Sequence, residues 1–267
     1  MILNDWLDEW IKIYKEPYLK PSSVERIRYA LKHISEELRV KDIAELTAYD
    51  IDKFLSSLKL TRTRKYLYYI FSSALKKAYC IDLIEKDITL KIEPVRHKQK
   101  KGKALTLTEQ TKFLKAVEKS KYRNLFYFYL YTGCRRSEAL NVRWKDIDYL
   151  LKEIRISGTK TESSERTVFI IPELVDVLKR QQRLTGNCEL VFPYDKSNVT
   201  HAFKKYCPDH HLHDLRHTFV TRCAESGVNI NVAQRLAGHS DISTTLQIYT
   251  HVTTEFQKRE FMKFKLK

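Results

Sequence analysis

The stretch HLHDLRHTFVTRCAESG places cationic side chains on the apolar side of a predicted helix. At about 100° per residue, His213, Arg216 and His217 fall on the same side as Val220 and Cys223. Cations on an apolar face need an anionic partner, and near a helix N-terminus the backbone N–H groups and the helix dipole add to the attraction. The pattern favours a phosphate site, although a buried structural ion pair would produce it too.

A second stretch, TGCRRSEAL, pairs an arginine with a carboxylate. Gly133 is predicted to end one helix, and Arg135 lies in the first turn of the next, with Glu138 three residues later on the same face. Such a carboxylate could hold the guanidinium in place for chemistry. A surface ion pair of little energetic value has the same spacing, so both interpretations stay open.

The stretch AGHSDISTTLQIYTH contains a tyrosine that could fill a core or act as a nucleophile. Ile242, Leu246 and Tyr249 share one helical face, which favours packing. His239 and the run of hydroxyl residues that follows it make the surroundings unusually polar for a core aromatic. The stretch by itself does not decide between the two roles.

A metal site is a further hypothesis, because a cysteine and four histidines crowd into eleven residues: Cys207, His210, His211, His213 and His217. Zinc accepts such ligands. The sequence lacks an HExxH pair, a second cysteine at close spacing and a carboxylate-rich set for magnesium. We therefore predict neither a metal nor a cofactor.

The composition indicates a polyanionic partner. The chain has 267 residues, with 49 Lys and Arg against 33 Asp and Glu, a net charge of +16. Nucleic acid is the first candidate partner and an anionic membrane surface the second. The apolar runs are too short to span a bilayer, and the N-terminus does not resemble a signal peptide. Five scattered cysteines favour a reducing compartment, so we expect a cytoplasmic protein with no membrane segment.

The spacing of apolar residues predicts two domains separated by a basic linker. Residues 1–93 read as helices, residues 94–103 as the linker, and residues 104–267 as a second domain. Cations at the start of one N-terminal helix and in the linker are candidate DNA phosphate contacts, although solvated surface would explain each one alone. They are Arg62, Arg64, Lys65, Lys98, Lys100, Lys101 and Lys103.

The second domain is predicted to be mainly α with a small antiparallel β-sheet, an α+β fold. A helix is expected to begin with Thr108 as its N-cap. The runs EIRIS and RTVFIIP predict a hairpin around the polar stretch GTKTESSE. Lys160 lies in that turn, where residue type and position alone give it no role beyond solubility.

Taken in order, TGCRRSEAL, GTKTESSERTVFIIP, HDLRHTFVT and LAGHSDISTTLQIYTH resemble the tyrosine recombinases, which include phage and transposon integrases and Xer-type resolvases. The resemblance spans both domains. It implies an N-terminal core-binding domain that clamps DNA, and a catalytic domain. The catalytic residues it implies are Arg135, Lys160, His213, Arg216, His239 and Tyr249 as the nucleophile, with Glu138 in support.

The chemistry implied by this resemblance needs no ATP or metal, because one phosphate ester replaces another. The tyrosine hydroxyl attacks a DNA phosphodiester and forms a covalent 3′-phosphotyrosine. Arg135 and Arg216 would bind the non-bridging oxygens, and His239 would donate a hydrogen bond to the phosphate. His213 would take the tyrosine proton, and Lys160 would supply one to the leaving hydroxyl.

The same resemblance implies the partners. They are double-stranded DNA recombination sites, further copies of the chain in a DNA-bound tetramer that exchanges C-terminal tails between protomers, and a directionality factor. The expected function is integration or excision of a phage or mobile element. A Xer-like resolvase, a type IB topoisomerase and a DNA-binding regulator that kept the fold are the alternatives. Many integrases carry an arm-site domain ahead of the core-binding domain, and from the position of the first helices we expect none in this sequence.

Overall fold

The computed structural model describes residues 1–97, 102–158, 165–238 and 242–250, together with 258, 261 and 262. The chain divides into two units, residues 1–100 and 101–267. None of the helices within the described residues is long and apolar enough to cross a membrane.

The first unit is a helical bundle built around one long helix. Apolar residues recur every three to four positions, and Leu67, Phe71, Ala74 and Leu75 of that helix are fully buried. The indole of Trp6 donates 3.1 Å to the carbonyl of Ala74, which ties the first helix to the long one. The helices are α1 (Leu3–Tyr14), α2 (Pro21–Leu31), α3 (Glu36–Arg39), α4 (Ala48–Ser57) and α5 (Thr61–Cys80).

The second unit combines eight helices within the described residues with a small sheet. The helices are α6 (Leu107–Val117), α7 (Arg123–Thr132), α8 (Arg136–Leu140), α9 (Pro172–Thr185), α10 (Lys196–Tyr206), α11 (Asp214–Glu225), α12 (Ile230–Ala237) and α13 (Ile242–Thr250). The strands are β1 (Ile147–Asp148), β2 (Glu153–Ile156) and β3 (Arg166–Phe169), and they form an antiparallel sheet in the order β1-β2-β3. The predicted α+β fold and the predicted hairpin are confirmed.

The predicted N-cap of α6 was wrong. Thr106, not Thr108, caps this helix: its hydroxyl accepts from the amide of Glu109, and the Glu109 carboxylate accepts from the amide of Thr106 at 2.8 Å. This is a capping box, in which two otherwise unpaired donors at the helix start are satisfied reciprocally. The Thr-x-x-Glu pattern is visible two residues before the position that we predicted.

Helix α7 forms the centre of the second unit. Leu125, Phe126 and Phe128 are fully buried, because the helix is apolar on nearly every side and packs against α9 and α11. It ends at Gly133, whose φ of 62° lies in the left-handed region, so the predicted glycine C-cap is confirmed. A Cβ at this glycine would lie 2.3 Å from Cδ1 of Phe219 in α11. The glycine therefore allows α11 to approach the end of α7.

Helix α11 is also fastened to the beginning of the second unit. The amide of Leu105 donates 2.9 Å to the hydroxyl of Thr218, and Arg222 donates 2.7 Å to the Leu105 carbonyl. Helices α12 and α13 pack on α11 as well. Helix α11 is thus held from several sides, which makes it a rigid support for the side chains of its first turn.

Candidate active site

Arg216 lies in the first turn of α11 and is almost fully buried. Its Nη1 donates 2.9 Å to the carbonyl of Gly133, one of the acceptors that the end of α7 leaves without a helical partner. Burial and the nearby guanidiniums of Arg135 and Arg166 lower the pKa of Arg216 to about 9. The side chain remains a cation at neutral pH, and an arriving anion would relieve the repulsion among the three arginines.

Arg135 is the N-cap residue of α8 and is held by Glu138 one turn later. Its Nη1 lies 2.6 Å from Oε1 of Glu138, and its backbone amide donates 2.8 Å to Oε2. The Arg135 side chain is 37% exposed, whereas that of Glu138 is 1% exposed. The carboxylate therefore fixes a guanidinium that still faces solvent, and this is not the exposed ion pair that the spacing alone allowed.

Arg166 joins this cluster from the sheet, although it was not among the predicted site residues. It begins β3, and its side chain is only 8% exposed. Its Nη2 donates 2.9 Å to Oε2 of Glu138, and its Nε donates 2.7 Å to the carbonyl of Leu236. A signal was present: side chains alternate along a strand, so Arg166 shares the inward face with the buried Val168.

The three guanidiniums and one carboxylate leave two net positive charges in a partly buried cluster. Burial alone would raise the pKa of Glu138, but its hydrogen bonds and charge contacts with Arg166 and Arg135 bring the pKa below its usual value. The carboxylate is therefore ionised and organises the arginines without cancelling their charge. An excess of buried positive charge with one exposed guanidinium is suited to binding a phosphate.

His213 occupies the N-cap position of α11, beside this cluster. Its ring meets the ring of His217 edge to face, with the centroids 5.0 Å apart. Burial, followed by the charges of His217 and Arg216, lowers the pKa of His213 to about 4. The imidazole is neutral at pH 7 and carries a lone pair that can accept a proton.

Tyr249 does not lie with the arginines in this structure. Its hydroxyl donates 2.8 Å to the carbonyl of Val228, and its ring packs against the apolar cluster formed by α11 and α12. The amide of Val228 in turn donates to the carbonyl of Cys223. Cys223 lies two helical turns, about 10 Å, beyond Arg216 along α11, so the hydroxyl of Tyr249 is held near the other end of that helix. Burial, with a smaller effect of the Cys223 thiol, raises the pKa of Tyr249 to about 12.

The crowded histidines contact different partners. His210 is buried, with Nε2 3.5 Å from Oε1 of Glu109 and Nδ1 3.4 Å from Oδ2 of Asp214. His213 and His217 meet edge to face instead. Among the residues that the structure describes, no group of three or more histidines, cysteines or acids is arranged to hold a metal ion.

Two family profiles match the chain. The Phage integrase family matches residues 103–255, which is more than half of the chain, and the phage integrase N-terminal SAM-like domain matches residues 2–59. The chain belongs to the phage integrase family of tyrosine recombinases. It is a site-specific recombinase, as the sequence motifs predicted.

Known relatives agree with this assignment. The recombinase is 30% identical over 243 residues to the tyrosine recombinase XerA of Saccharolobus solfataricus, covering 84% of this chain and 80% of the relative. It is 25% identical over 285 residues to the ICEBs1 integrase of Bacillus subtilis, covering 90% and 76%. Its fold is similar to that of a lambda integrase tetramer bound to a Holliday junction, with a TM-score of 0.82 at 18% identity over 93% of this chain and 77% of that one.

Two of the predicted catalytic residues of the recombinase lie outside the described residues. Lys160 falls in the segment 159–164 and His239 in the segment 239–241. Of the other four, the structure brings Arg135, Arg216 and His213 together and leaves Tyr249 apart. Their catalytic roles remain predictions.

The candidate DNA contacts of the recombinase differ in their surroundings. Arg62 is exposed, and Nζ of Lys65 lies 5.8 Å from the centre of the Tyr69 ring. Arg64 instead donates to the carbonyls of Ser56 and Leu58 at the end of α4, so part of its hydrogen-bonding capacity supports the fold. Lys103 is exposed, whereas Lys98, Lys100 and Lys101 lie outside the described residues.

Proposed function

We propose that this recombinase integrates or excises a phage or other mobile element by cutting and rejoining DNA through Tyr249. The observation that carries the proposal is the arginine cluster around Glu138, with the neutral His213 beside it. Such a site provides positive charge that binds a phosphodiester, and a base that accepts the proton of a nucleophile. The similarity to the ICEBs1 integrase of Bacillus subtilis supports the integrase role.

In the proposed reaction, the Tyr249 oxygen attacks the scissile phosphorus, and the bond from phosphorus to the 5′ oxygen breaks. The number of phosphate ester bonds is unchanged, so energy is conserved in the 3′-phosphotyrosine. Arg135 and Arg216 stabilise the negative charge that gathers on the non-bridging oxygens in the transition state. Rejoining is the reverse attack by a 5′ hydroxyl.

Proton transfer accompanies both bond changes. His213 accepts the proton of Tyr249, and the approaching phosphate anion raises the basicity of the imidazole. Lys160 donates a proton to the leaving 5′ oxygen, and His239 donates a hydrogen bond to the phosphate. Before any of this, Tyr249 has to leave the Val228 carbonyl and enter the arginine cluster.

DNA, further copies of the chain and a directionality factor are the proposed partners. The lambda integrase with a similar fold is a tetramer on a Holliday junction, and two duplexes with four strand exchanges call for the same assembly here. We propose that C-terminal tails are exchanged between protomers; most of this tail lies outside the described residues. The enzyme would act on DNA in the cytoplasm of a bacterial or phage-infected host.

The first unit is proposed to be the core-binding domain and to clamp DNA opposite the catalytic domain, with residues 94–103 as the linker. Its match to the phage integrase N-terminal SAM-like domain supports this role. Arg62, Lys65 and the linker cations Lys98, Lys100, Lys101 and Lys103 would contact phosphates, and Arg64 would combine such a contact with its support of α4.

The test is the capture of a covalent protein–DNA adduct. A library of nicked duplexes with randomised core sequence traps cleaved product, because the short strand beside the nick diffuses away and cannot be rejoined. The recombinase should yield an adduct that survives denaturing electrophoresis, and Tyr249→Phe should yield none. Tyr149→Phe, a change at a partly exposed tyrosine of the same unit, is the matched control and should retain the adduct. An adduct with Tyr249→Phe, or none with the unaltered chain, would contradict the proposal.

A Xer-like resolvase is the second candidate, favoured by the 30% identity to XerA. Plasmids that carry the captured site distinguish an integrase from a resolvase. Joining of two different plasmids, each carrying one site, would support integration. Deletion between two directly repeated sites on one plasmid, without intermolecular joining, would support resolution.

A further inference from the structure

Arginine side chains bind the backbone carbonyls at the end of α12. Nε of Arg166 donates 2.7 Å to the carbonyl of Leu236, and Nη2 of Arg135 donates 2.7 Å to the carbonyl of Gly238. The last carbonyls of a helix have no partner within the helix and carry the negative end of its dipole, so cations stabilise them. The two arginines therefore fix the last turn of α12 against β3 and α8.

Gly238 lets Arg166 come this close. Its φ is 69°, and a Cβ at this position would lie 2.8 Å from Nη1 of Arg166. A side chain here would strain the backbone and displace the guanidinium. His239, which the proposed function assigns to the phosphate, follows Gly238 directly in the sequence. The position of Gly238 is thus linked to the position of Arg166.

Arg166 also holds Glu138 on the side opposite Arg135. One carboxylate oxygen, Oε1, receives Nη1 of Arg135 at 2.6 Å, and the other, Oε2, receives Nη2 of Arg166 at 2.9 Å. With both oxygens engaged, the carboxylate has little freedom to rotate. Loss of Arg166 would leave Oε2 with only the backbone amide of Arg135, which would loosen Glu138 and, with it, the guanidinium of Arg135.

We propose that Arg166 is a positioning residue for strand cleavage, and that it acts through Arg135 and the end of α12 at Gly238, which precedes His239 in the sequence, without contacting the phosphate itself. The inference rests on the proposed function, since it presumes that Arg135 and His239 act on the scissile phosphate. The side chain is only 8% exposed and is engaged on Glu138 and the Leu236 carbonyl. It has little surface left for DNA.

Two substitutions separate charge from geometry. Arg166→Met keeps the length and apolar volume but removes all donors. Arg166→Lys keeps the charge near Glu138 but lacks the planar fork that reaches Glu138 and the Leu236 carbonyl together. Arg183→Met, at an exposed position of α9, is the matched control. Thermal unfolding of each variant shows whether it is folded.

The measurement is the rate of cleavage of two versions of the captured duplex. One has a phosphodiester at the scissile position and the other a methylphosphonate. The methylphosphonate lacks the charged non-bridging oxygen, so its transition state depends less on well-placed guanidiniums. If Arg166 positions Arg135, Arg166→Met should slow cleavage of the phosphodiester about 100-fold and of the methylphosphonate less than about tenfold. Arg166→Lys should show the same selectivity with a smaller loss and an intact thermal transition, which keeps the test valid if Arg166→Met is unfolded.

Other outcomes overturn the inference. Equal slowing of both substrates would mean that Arg166 only supports the fold. Unchanged rates would mean that the placement of Arg135 and of the end of α12 does not depend on it. Failure of the proposed function would look different, because the unaltered chain would then form no Tyr249-dependent adduct on the phosphodiester. Arg183→Met should cleave both substrates as the unaltered chain does.

Discussion

His213 and Tyr249 show how the surroundings of a side chain, partial burial and nearby charges, set its protonation in the candidate site. The pKa of His213 is about 4 and that of Tyr249 about 12, so transfer of the tyrosine proton to the imidazole is strongly uphill as the residues stand. Leaving the apolar cluster would lower the pKa of the tyrosine, and an adjacent phosphate would raise that of the histidine. While it is bound to the Val228 carbonyl, the tyrosine is thus poorly placed to give up its proton.

The stability of the chain should reflect the neutral His213. Its pKa is lower in the folded protein than the usual 6.5, so the unfolded chain binds more protons between pH 6.5 and about 4. The free energy of unfolding contributed by this residue is fully present above pH 6.5 and declines as the pH falls through that range. Because the His213 side chain is partly exposed and water screens its charge, we expect the free energy of unfolding of His213→Gln to depend less steeply on pH there, by well under the ~1.4 kcal/mol per pH unit of a fully shielded group. Urea unfolding at several pH values measures the difference, and parallel curves for both proteins would contradict it.

At the scale of elements, the site depends on where helices end. Arg216 binds the carbonyl of Gly133 at the end of α7, and Arg166 and Arg135 bind carbonyls at the end of α12. Helix ends present unpaired acceptors, and here each receives a guanidinium. The same contacts that cap the helices also orient the arginines.

Gly133 and Gly227 provide a matched test of this arrangement. Both have positive φ, 62° and 75°, but a Cβ at Gly133 would lie 2.3 Å from Phe219, whereas at Gly227 nothing lies within 4 Å. Gly227→Ala should therefore cost only the backbone strain, about 1–2 kcal/mol. Gly133→Ala should cost about 2–5 kcal/mol, because it adds overpacking against α11. Chemical denaturation measures both free energies of unfolding, and equal values would show that α11 adapts to the added methyl group.

At the scale of the whole molecule, the formal charge of +16 favours a polyanion and should make DNA binding strongly dependent on salt. The charge does not say which cations contact DNA. In the first unit, Arg62 is exposed, whereas Arg64 binds the carbonyls of Ser56 and Leu58. Neighbouring cations in one helix turn can therefore be assigned different roles.

Substitution of these cations tests the assignment. Arg62→Gln combined with Lys65→Gln should make the plot of log affinity against log salt concentration shallower by about 2, because two phosphate contacts are lost. Arg64→Gln should lower the melting temperature as well, since α4 loses hydrogen bonds to its last carbonyls. Fluorescence anisotropy with the captured duplex gives the slopes. An unchanged slope for the double variant would remove Arg62 and Lys65 from the DNA interface.

Local sequence patterns predicted the features that depend only on neighbouring residues. The glycine end of α7, the β2–β3 hairpin and the apolar face of Tyr249 follow from short-range spacing. The N-cap of α6 was misplaced by two residues because two threonines lie within reach, and only the reciprocal bond with Glu109 distinguishes them. Arg166 was missed because its partners, Glu138 and Leu236, are 28 and 70 residues away in the chain.

The sequence by itself determined the family, the α+β fold class and the candidate catalytic residues, because motif order and residue periodicity are properties of the chain alone. Only the tertiary structure decided that Glu138 is shared by two arginines and that His213 is neutral. It also decided that the hydroxyl of Tyr249 binds the Val228 carbonyl and not the arginine cluster. Those facts depend on which distant segments meet and how much water they exclude. Packing sets both, and no local pattern encodes them.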